Sequence, residues 1–567
     1  MVERSQMRLF SARSTCVVFF ARWRYWIVVV CLGSTVGQSV LAAGDGSYTA
    51  KRRAVDSTVV IIDAVEVARY GVFPPSAPES AEWYASAANR LHVATRQAVI
   101  RRELLFAPGD TLSEALLERT ERNLRQFAFL DSVAVSSHTE DGKTTVTIYT
   151  DDNWTLGGGL IFQGGGGRRH TGAEIIERNL FGLGKDLRAT YVHLPEAEHF
   201  SMGYVDPQVA GTRWQARVSG MRTGLGNLVR ASLNRTFYAR HVEYSGGVDV
   251  WWSSGQTRLV RNSASGLEPI EQSRGSGYAS RAWGLGEGRL VIRSELAIES
   301  SQWPDARPFE RGAKLDTLGL PWESVTASTD VVIETARQWF ALRRIDRFGR
   351  REDAAAGTIW SFGFGVIRGI RMTPYVLNPF LRSSVSRTSR WKNSLAVLDG
   401  SATISLLDDP IGGDFGWSHA STDAAAHFYY QGLPRQTLAA AVRYRAYIRD
   451  FRRNRWFYVG GLSGLRGYPA WQFGGRHSLS VNIEDRVFTP IKIITVALGF
   501  VVFADAGYSW RDGGSVDLRD LMPSVGVGVR LGHTKSATPV TRFDVALPLR
   551  GGFGVGINYG VGQSFGK

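Results

Sequence analysis

The stretch Val242-Glu-Tyr-Ser-Gly-Gly-Val-Asp-Val-Trp-Trp252 alternates in character. Val242, Tyr244, Gly246, Val248, Val250 and Trp252 fall on one face, opposite Glu243, Ser245 and Asp249. Successive side chains of a strand point to opposite faces, so a period of two marks a strand with one apolar and one polar side. The same period recurs at Trp214, Ala216 and Val218, with Gln215 and Arg217 between them. It returns at Val229, Ala231 and Leu233, at Leu479, Val481 and Ile483, and at Val555, Ile557, Tyr559 and Val561. Asn482 and Glu484 share the polar face of the Leu479–Ile483 segment. After Asp152 no helical period survives.

Strands of this kind fit a soluble sandwich, whose apolar faces pack on each other, or a membrane barrel, whose apolar face meets lipid. Three features favour the barrel. Tyr and Trp recur at segment ends, as an interfacial girdle requires. No second helical region exists to cover a sheet. Backbone groups in lipid demand a helix of spanning length or a closed sheet, and no such helix is in the sequence. The 416 residues of 152–567, at about 10 residues per tilted strand plus turns and long outer loops, predict a transmembrane antiparallel β-barrel of about 16 strands.

Residues 56–151 read as one small α+β domain. Thr58 to Val67 is strand-like, and a Pro/Ser/Ala-rich insert, Phe73 to Ala88, follows. Thr95 to Phe106 reads as a helix broken by Pro108-Gly109-Asp110. Thr111 and Glu114 form a capping-box pattern ahead of a second helix, on which Leu112, Leu116, Thr120, Leu124 and Phe127 share a face. Two strands around Val133/Val135 and Val146/Ile148 are joined by a turn at Asp141-Gly142. The order is β-α-α-β-β.

Ahead of this domain, residues 1–43 read as a secretory signal peptide. Arg4, Arg8, Arg13, Arg22 and Arg24 precede a short apolar run, Tyr25 to Leu32, and small residues lead to a cut near Ala42 or Ala43. The apolar run is too short for a spanning helix, which needs about 20 residues. Both cysteines, Cys16 and Cys31, fall in this leader. The processed chain therefore excludes disulfide-stapled domains, thiolate metal sites and cysteine nucleophiles. Removing five arginines and one glutamate takes the formal charge from +15 to +11. Of the 67 basic residues 59 are arginine, a bias that fits codon usage. They are scattered singly through alternating segments, so no nucleic-acid partner is expected.

Several motifs add to this picture. Residues 116–135, LLERTERNLRQFAFLDSVAV, are similar to the second helix and following strand of a POTRA domain. ERNLFGLGKDL (177–187), LRGY (465–468), VFADAG (502–507) and TRFDVALPL (541–549) follow in order. In this order the chain, over about 57–567, resembles the BamA/TamA-type outer-membrane assembly proteins of the bacterial surface antigen family, with one POTRA domain before a C-terminal barrel. The best-known assembly proteins carry several such domains and partner-secretion transporters usually two. No lipase-like segment precedes the module, so the resemblance is not expected to extend to patatin-type fusions.

The resemblance implies that the loop bearing Leu465, Arg466, Gly467 and Tyr468 folds back into the lumen. Its arginine would pair with acidic residues on inward strand faces. The residues argue the same way. A loop lying against a polar wall needs a polar anchor, and arginine forks bidentately onto carboxylate. Asp505 and Asp544 sit on alternating strands among apolar neighbours; facing lipid they would be costly, so both should point inward. A phosphate-loop reading of 460–475, and of Gly-Gly-Gly-Gly-Arg-Arg at 164–169, fails for lack of the Gly-Lys-Ser/Thr spacing and a following helix.

The barrel closes where its first strand, read from Asn153 to Phe162, meets its last, read from Gly552 to Phe565. Gly157, Gly158, Gly159, Gly554, Gly556 and Gly560 make both glycine-rich, so this seam should be the weakest ladder. A lateral gate there is implied by the resemblance; relief of crowding around the inner loop is the alternative. Tyr559 and Phe565 are the aromatics of a C-terminal barrel signal, although Gly566-Lys567 follow.

No His-Glu-x-x-His or Gly-x-Ser-x-Gly occurs, and the ten histidines show no ligand spacing. No enzyme activity, metal or cofactor is therefore expected. The leading expectation is an outer-membrane insertase or translocase, its N-terminal domain in the periplasm. Its partners would be outer-membrane lipid, unfolded polypeptide clients and periplasmic accessory proteins. The alternatives are a dedicated secretion pore for one partner protein and a passive porin or surface antigen.

Overall fold

The computed structural model describes residues 60–567 apart from 74–81, 166–167, 194–197, 240, 262–263, 303–321, 336, 349–350, 371–376, 406–418, 449–455, 462, 512–516, 537–538, 564 and 566–567. The expected leader, with Cys16 and Cys31, lies outside the described residues.

The first domain runs β1 (Ala64–Tyr70), α1 (Glu82–Leu91), α2 (Gln97–Arg101), α3 (Glu114–Arg125), β2 (Leu130–Glu140) and β3 (Lys143–Asp152). Its sheet order is β1-β3-β2, with β1 parallel and β2 antiparallel to the central β3. Val146 and Ile148 on β3 are fully buried against Ile62, Ile100, Leu124 and Leu130. Leu112, Leu116 and Phe127 pack around this core. The details differ from the sequence reading in three places. α1 starts inside the segment read as an insert and runs three residues past it, and α2 is only five residues long. The cap of α3 is Ser113 rather than Thr111. Thr111 is drawn into a β-bridge with Ile61, and Leu112 N–H donates to Val60 O at 2.8 Å, so the helix starts later.

Beyond β3 the chain forms a closed antiparallel barrel. Among the described residues it has twenty strands, counting Trp322–Glu334 and Gln338–Leu342 as one, because both pair antiparallel with Glu352–Gly369, with a one-residue register shift between them. This corrects the expected 16. The estimate reserved too many residues for connections: only Gly224 and Leu225 separate the ten-residue strands Trp214–Thr223 and Gly226–Arg235. The first strand, Leu156–Gly165, starts at the end that carries the N-terminal domain, and the last, Gly556–Val561, finishes there.

The alternation sorts side chains as the period of two requires. Val248, Val250, Leu296, Ile298, Phe364 and Val527 point outward and are exposed. On the opposite face Asp249 accepts a hydrogen bond from Arg230 Nε at 2.9 Å. An apolar surface of this extent is far larger than a soluble monomer shows. Lipid covers it, and the chain is an outer-membrane-type barrel.

Two neighbouring turns at the domain end share one backbone conformation. In Asn179-Leu-Phe-Gly182 and Gln208-Val-Ala-Gly211 the third residue has φ 57° and 51°, and the glycine 71° and 75°. Both turns dock on the first domain. Asn179 Nδ2 donates to Thr95 Oγ1 at 2.9 Å; Gln208 Nε2 donates to Val99 O at 3.2 Å and to Glu103 Oε1 at 2.5 Å. Gly182 is demanded twice, by its φ and because a Cβ there would lie 2.4 Å from Ala94 O. Arg125 on α3 forks onto Asp353, and Lys535 Nζ donates to Asp131 Oδ2 at 2.8 Å. The domain is thus tied to the barrel wall at several strands.

Val527 lies mid-strand in Met522–His533 on the outward face. Val527→Arg should cost about 2–4 kcal/mol of barrel stability, read as a lower denaturant midpoint for folding into lipid vesicles. An unchanged midpoint would place that face in water.

Candidate functional site

The connection between strands Gln436–Ile448 and His477–Ile493 folds into the lumen. A short ladder, Phe457–Val459 with Phe473–Gly475, holds its base. Bridges Gly460↔Ser463 and Gly461↔Leu465 tighten its tip. Leu465 and Tyr468 are buried with Val459, Phe473, Met522 and Phe553, and Tyr468 Oη donates to Pro523 O at 2.8 Å.

Arg466 is 1% exposed. It forks onto Asp505, with Nε to Oδ2 and Nη2 to Oδ1 both at 2.8 Å. Nη1 donates to Glu484 Oε1 at 2.7 Å and to Asp544 Oδ2 at 3.4 Å. Its carbonyl accepts from Ser524 Oγ at 2.5 Å, and the guanidinium lies 3.4 Å from the Phe503 ring centroid. Both aspartates singled out in the sequence therefore meet this arginine, Asp505 bidentately and Asp544 at longer range.

Around this centre the charges continue. Glu484 also accepts from Arg486 Nε at 2.8 Å, and Arg530 Nη1 donates to Asp544 Oδ1 at 2.6 Å. Asn482 Nδ2 bridges Asp505 Oδ1 and Gly464 O, at 2.8 and 2.9 Å. Sequence reasoning did not single out Glu484, Arg486 or Arg530. The signal available for Glu484 was its place on the polar face of the Leu479–Ile483 alternation.

A second element fills the lumen from the domain end. In the turn after Leu342, Ile345 is fully buried and its carbonyl accepts from Arg486 Nη1 at 2.8 Å. Thr437 Oγ1 donates to Arg344 O at 2.9 Å, and Glu352 Oε1 accepts the backbone N–H groups of Ile345, Asp346 and Arg347 at 3.2–3.3 Å. Phe348 meets Phe488 edge-on, ring centroids 5.0 Å apart.

Phe565 joins the same cluster, which corrects its reading as the end of the last strand. That strand stops at Val561, where Gly562 at φ 86° turns the chain off the ladder. The Phe565 carbonyl accepts from Arg486 Nη2 at 2.6 Å, and its ring packs beside Ile345 and Tyr429. Tyr559 keeps an outward place, its ring 6.3 Å from that of Phe543.

The seam is the barrel's thinnest ladder. Among the described residues, the first and last strands share one pair, Tyr559↔Gly164. Each has a full ladder on its other side: ten pairs for Leu156–Gly165 with Arg168–Glu177, and six for the last strand with its predecessor. Of the seam glycines, Gly157, Gly158 and Gly159 lie in the first strand, and Gly556 and Gly560 in the last; Gly554 precedes the last strand. Crowding by the inner loop accounts for one of them: a Cβ on Gly556 would lie 2.5 Å from Gly467 Cα. A Cβ on Gly159 or Gly554 would meet nothing within 4 Å.

Among the described residues, fold and site define a class: a twenty-stranded outer-membrane-type barrel with a docked α+β domain, a loop and a turn anchored inside the lumen, and a seam of one residue pair. No family model and no curated protein matches the chain. Among solved structures it is similar to BamA from Haemophilus ducreyi lacking POTRA domains 1–3, at 13% identity over 88% of this chain and 84% of that one, with a TM-score of 0.37. It is similar to CdiB from Acinetobacter baumannii (12%, 89% and 74%, TM-score 0.42) and to the FrpB iron transporter from Neisseria meningitidis (9%, 76% and 86%, TM-score 0.40). TM-scores this low carry no function over to this chain.

Removing one partner of a buried ion cluster strands the others. Arg466→Ala should cost about 3–5 kcal/mol and lower the temperature at which the barrel loses its compact electrophoretic mobility. Arg466→Lys should fall between, since an ammonium cannot fork onto Asp505. Unchanged mobility for both variants would remove the loop from the structure's supports.

Proposed function

We propose that the chain is an outer-membrane insertase or translocase whose first domain acts as a POTRA domain in the periplasm. The observation that carries this reading is the seam. Among the described residues, Leu156–Gly165 pairs with the last strand only at Gly164, which leaves nearly all of that edge unpaired in a membrane wall. Each such group costs several kcal/mol in hydrocarbon, so an incoming strand that satisfies them is held strongly. The arginine cluster and the re-entrant turn occupy the lumen, which favours a lateral route over an axial one and counts against a passive porin. No nucleotide is required, because folding of a client into lipid releases the free energy.

The first domain supplies a place for clients to arrive. Among the described residues β2 is an edge of its sheet, paired only with β3, and its outer half is exposed. An extended polypeptide can add to it by β-augmentation. The reading assigns no catalytic step, metal or cofactor.

Two experiments test it. Depletion should lower many outer-membrane barrel proteins together. Loss of a single secreted species would favour a dedicated secretion pore, and an unchanged protein inventory with altered solute uptake would favour a porin. The seam itself is tested by Gly164→Cys with Tyr559→Cys. In the chain freed of its leader cysteines, oxidation should join the two strands and stop client insertion, and reduction should restore it. Full activity in the locked form would leave the seam without a role.

A further inference from the structure

A groove of about 980 Å³ opens on the outward wall, away from both lumen and seam. Small residues make its floor. In register, Gly246 lies between Arg235 and Ala279, and Gly277 between Val248 and Leu296. Leu233, Leu296 and Phe364 stand along its sides, and Trp214 lines it beside Arg235.

Two cations lie just beyond the lining at the domain end of this groove, Arg235 beside Trp214 and Gly246, and Arg281 two residues past Ala279. Arg235 is the last residue of its strand, and Arg281 comes four residues before the end of Ala264–Leu285. Both have outward parity: Arg235 alternates with inward Asn234, and Arg281 lies opposite exposed Tyr244. The Arg281 guanidinium is 5.4 Å from the Tyr244 ring and 5.2 Å from that of Trp283. Arg235 Nε is buried without a hydrogen-bond partner. The two residues are two strands and two positions apart, about 12 Å between Cα atoms, so their side chains can converge on one group.

A cation on the lipid wall is costly at the midplane and becomes tolerable at headgroup level, where it meets phosphate. The bracket of Tyr244, Trp283 and Trp214 marks that level, as aromatic girdles do. We propose that this wall holds one anionic glycerophospholipid, its phosphate between Arg235 and Arg281 and an acyl chain over Gly246, Gly277 and Ala279. The charge at one end and the apolar floor beyond it match the two halves of such a lipid. That the lipid comes from the periplasmic leaflet rests on the placement of the first domain proposed above.

The test is titration of the detergent-purified barrel with phosphatidylglycerol, followed by native mass spectrometry. The unaltered chain should retain one phosphatidylglycerol in preference to phosphatidylethanolamine. R235Q/R281Q should weaken retention about tenfold or more. Gly277→Leu should weaken it as much with both cations intact, because a Cβ there meets nothing closer than 3.9 Å and the larger side chain fills the groove rather than the wall. Heat-modifiable mobility shows that each variant is folded. Equal retention by R235Q/R281Q, no preference between the two phospholipids, or preferred binding of lipopolysaccharide would each overturn the proposal. No client enters the titration, so its failure is distinct from failure of the insertase reading.

Discussion

The guanidinium of Arg466, shared among Asp505, Glu484 and Asp544, holds the interior together. Three carboxylates buried in one place would repel, and each would lose its hydration. The arginine supplies the charge and directed donors that make their company tolerable, and Arg486 and Arg530 extend the balance. Because the arginine comes from a loop and the carboxylates from three strands, the cluster fixes the loop to the wall. The glycine after it can then lie against Gly556 of the last strand.

The same network reaches the domain end. Arg486 binds Glu484, the carbonyl of Ile345 in the re-entrant turn and the carbonyl of Phe565 near the chain terminus. Gln563 and Phe565 are thereby drawn toward Arg530 and Arg486 inside the barrel instead of extending the last ladder. A six-residue last strand cannot cover the ten-residue first strand opposite. The open edge of the seam is thus a consequence of how the interior is filled, and not of glycine content alone.

Much of this was legible in the sequence, for physical reasons that also explain the gaps. Asp505 stands out as a lone charge among apolar neighbours, and Asp544 is flanked directly by Phe543 and Val545, with Arg542 next beyond. Glu484 has Asn482, Asp485 and Arg486 around it, so nothing in its surroundings sets it apart. The stretch Arg343-Arg-Ile-Asp-Arg-Phe348 is mostly charged and reads as a solvated turn, yet Ile345 is fully buried. Gly562 is one glycine of many in the tail, and its positive φ, which decides where Phe565 goes, is invisible to periodicity. The strand number depended on connection lengths, which alternation does not encode. The twin of the Asn-Leu-Phe-Gly turn escaped because Gln208-Val-Ala-Gly211 shares its conformation but, apart from the final glycine, not its residues.

The central claim is that polypeptide is handled at the first strand's free edge. Photo-reactive residues placed in living cells at Gly158 and Leu160, on the outward face of that strand, test it most directly. The inward position Ser478, buried on a lumen-facing wall, serves as the comparison. The account predicts adducts with newly made barrel proteins at positions 158 and 160, joined through their terminal strands, and none at 478. Adducts at 478 without any at the edge would contradict it and put the route through the lumen.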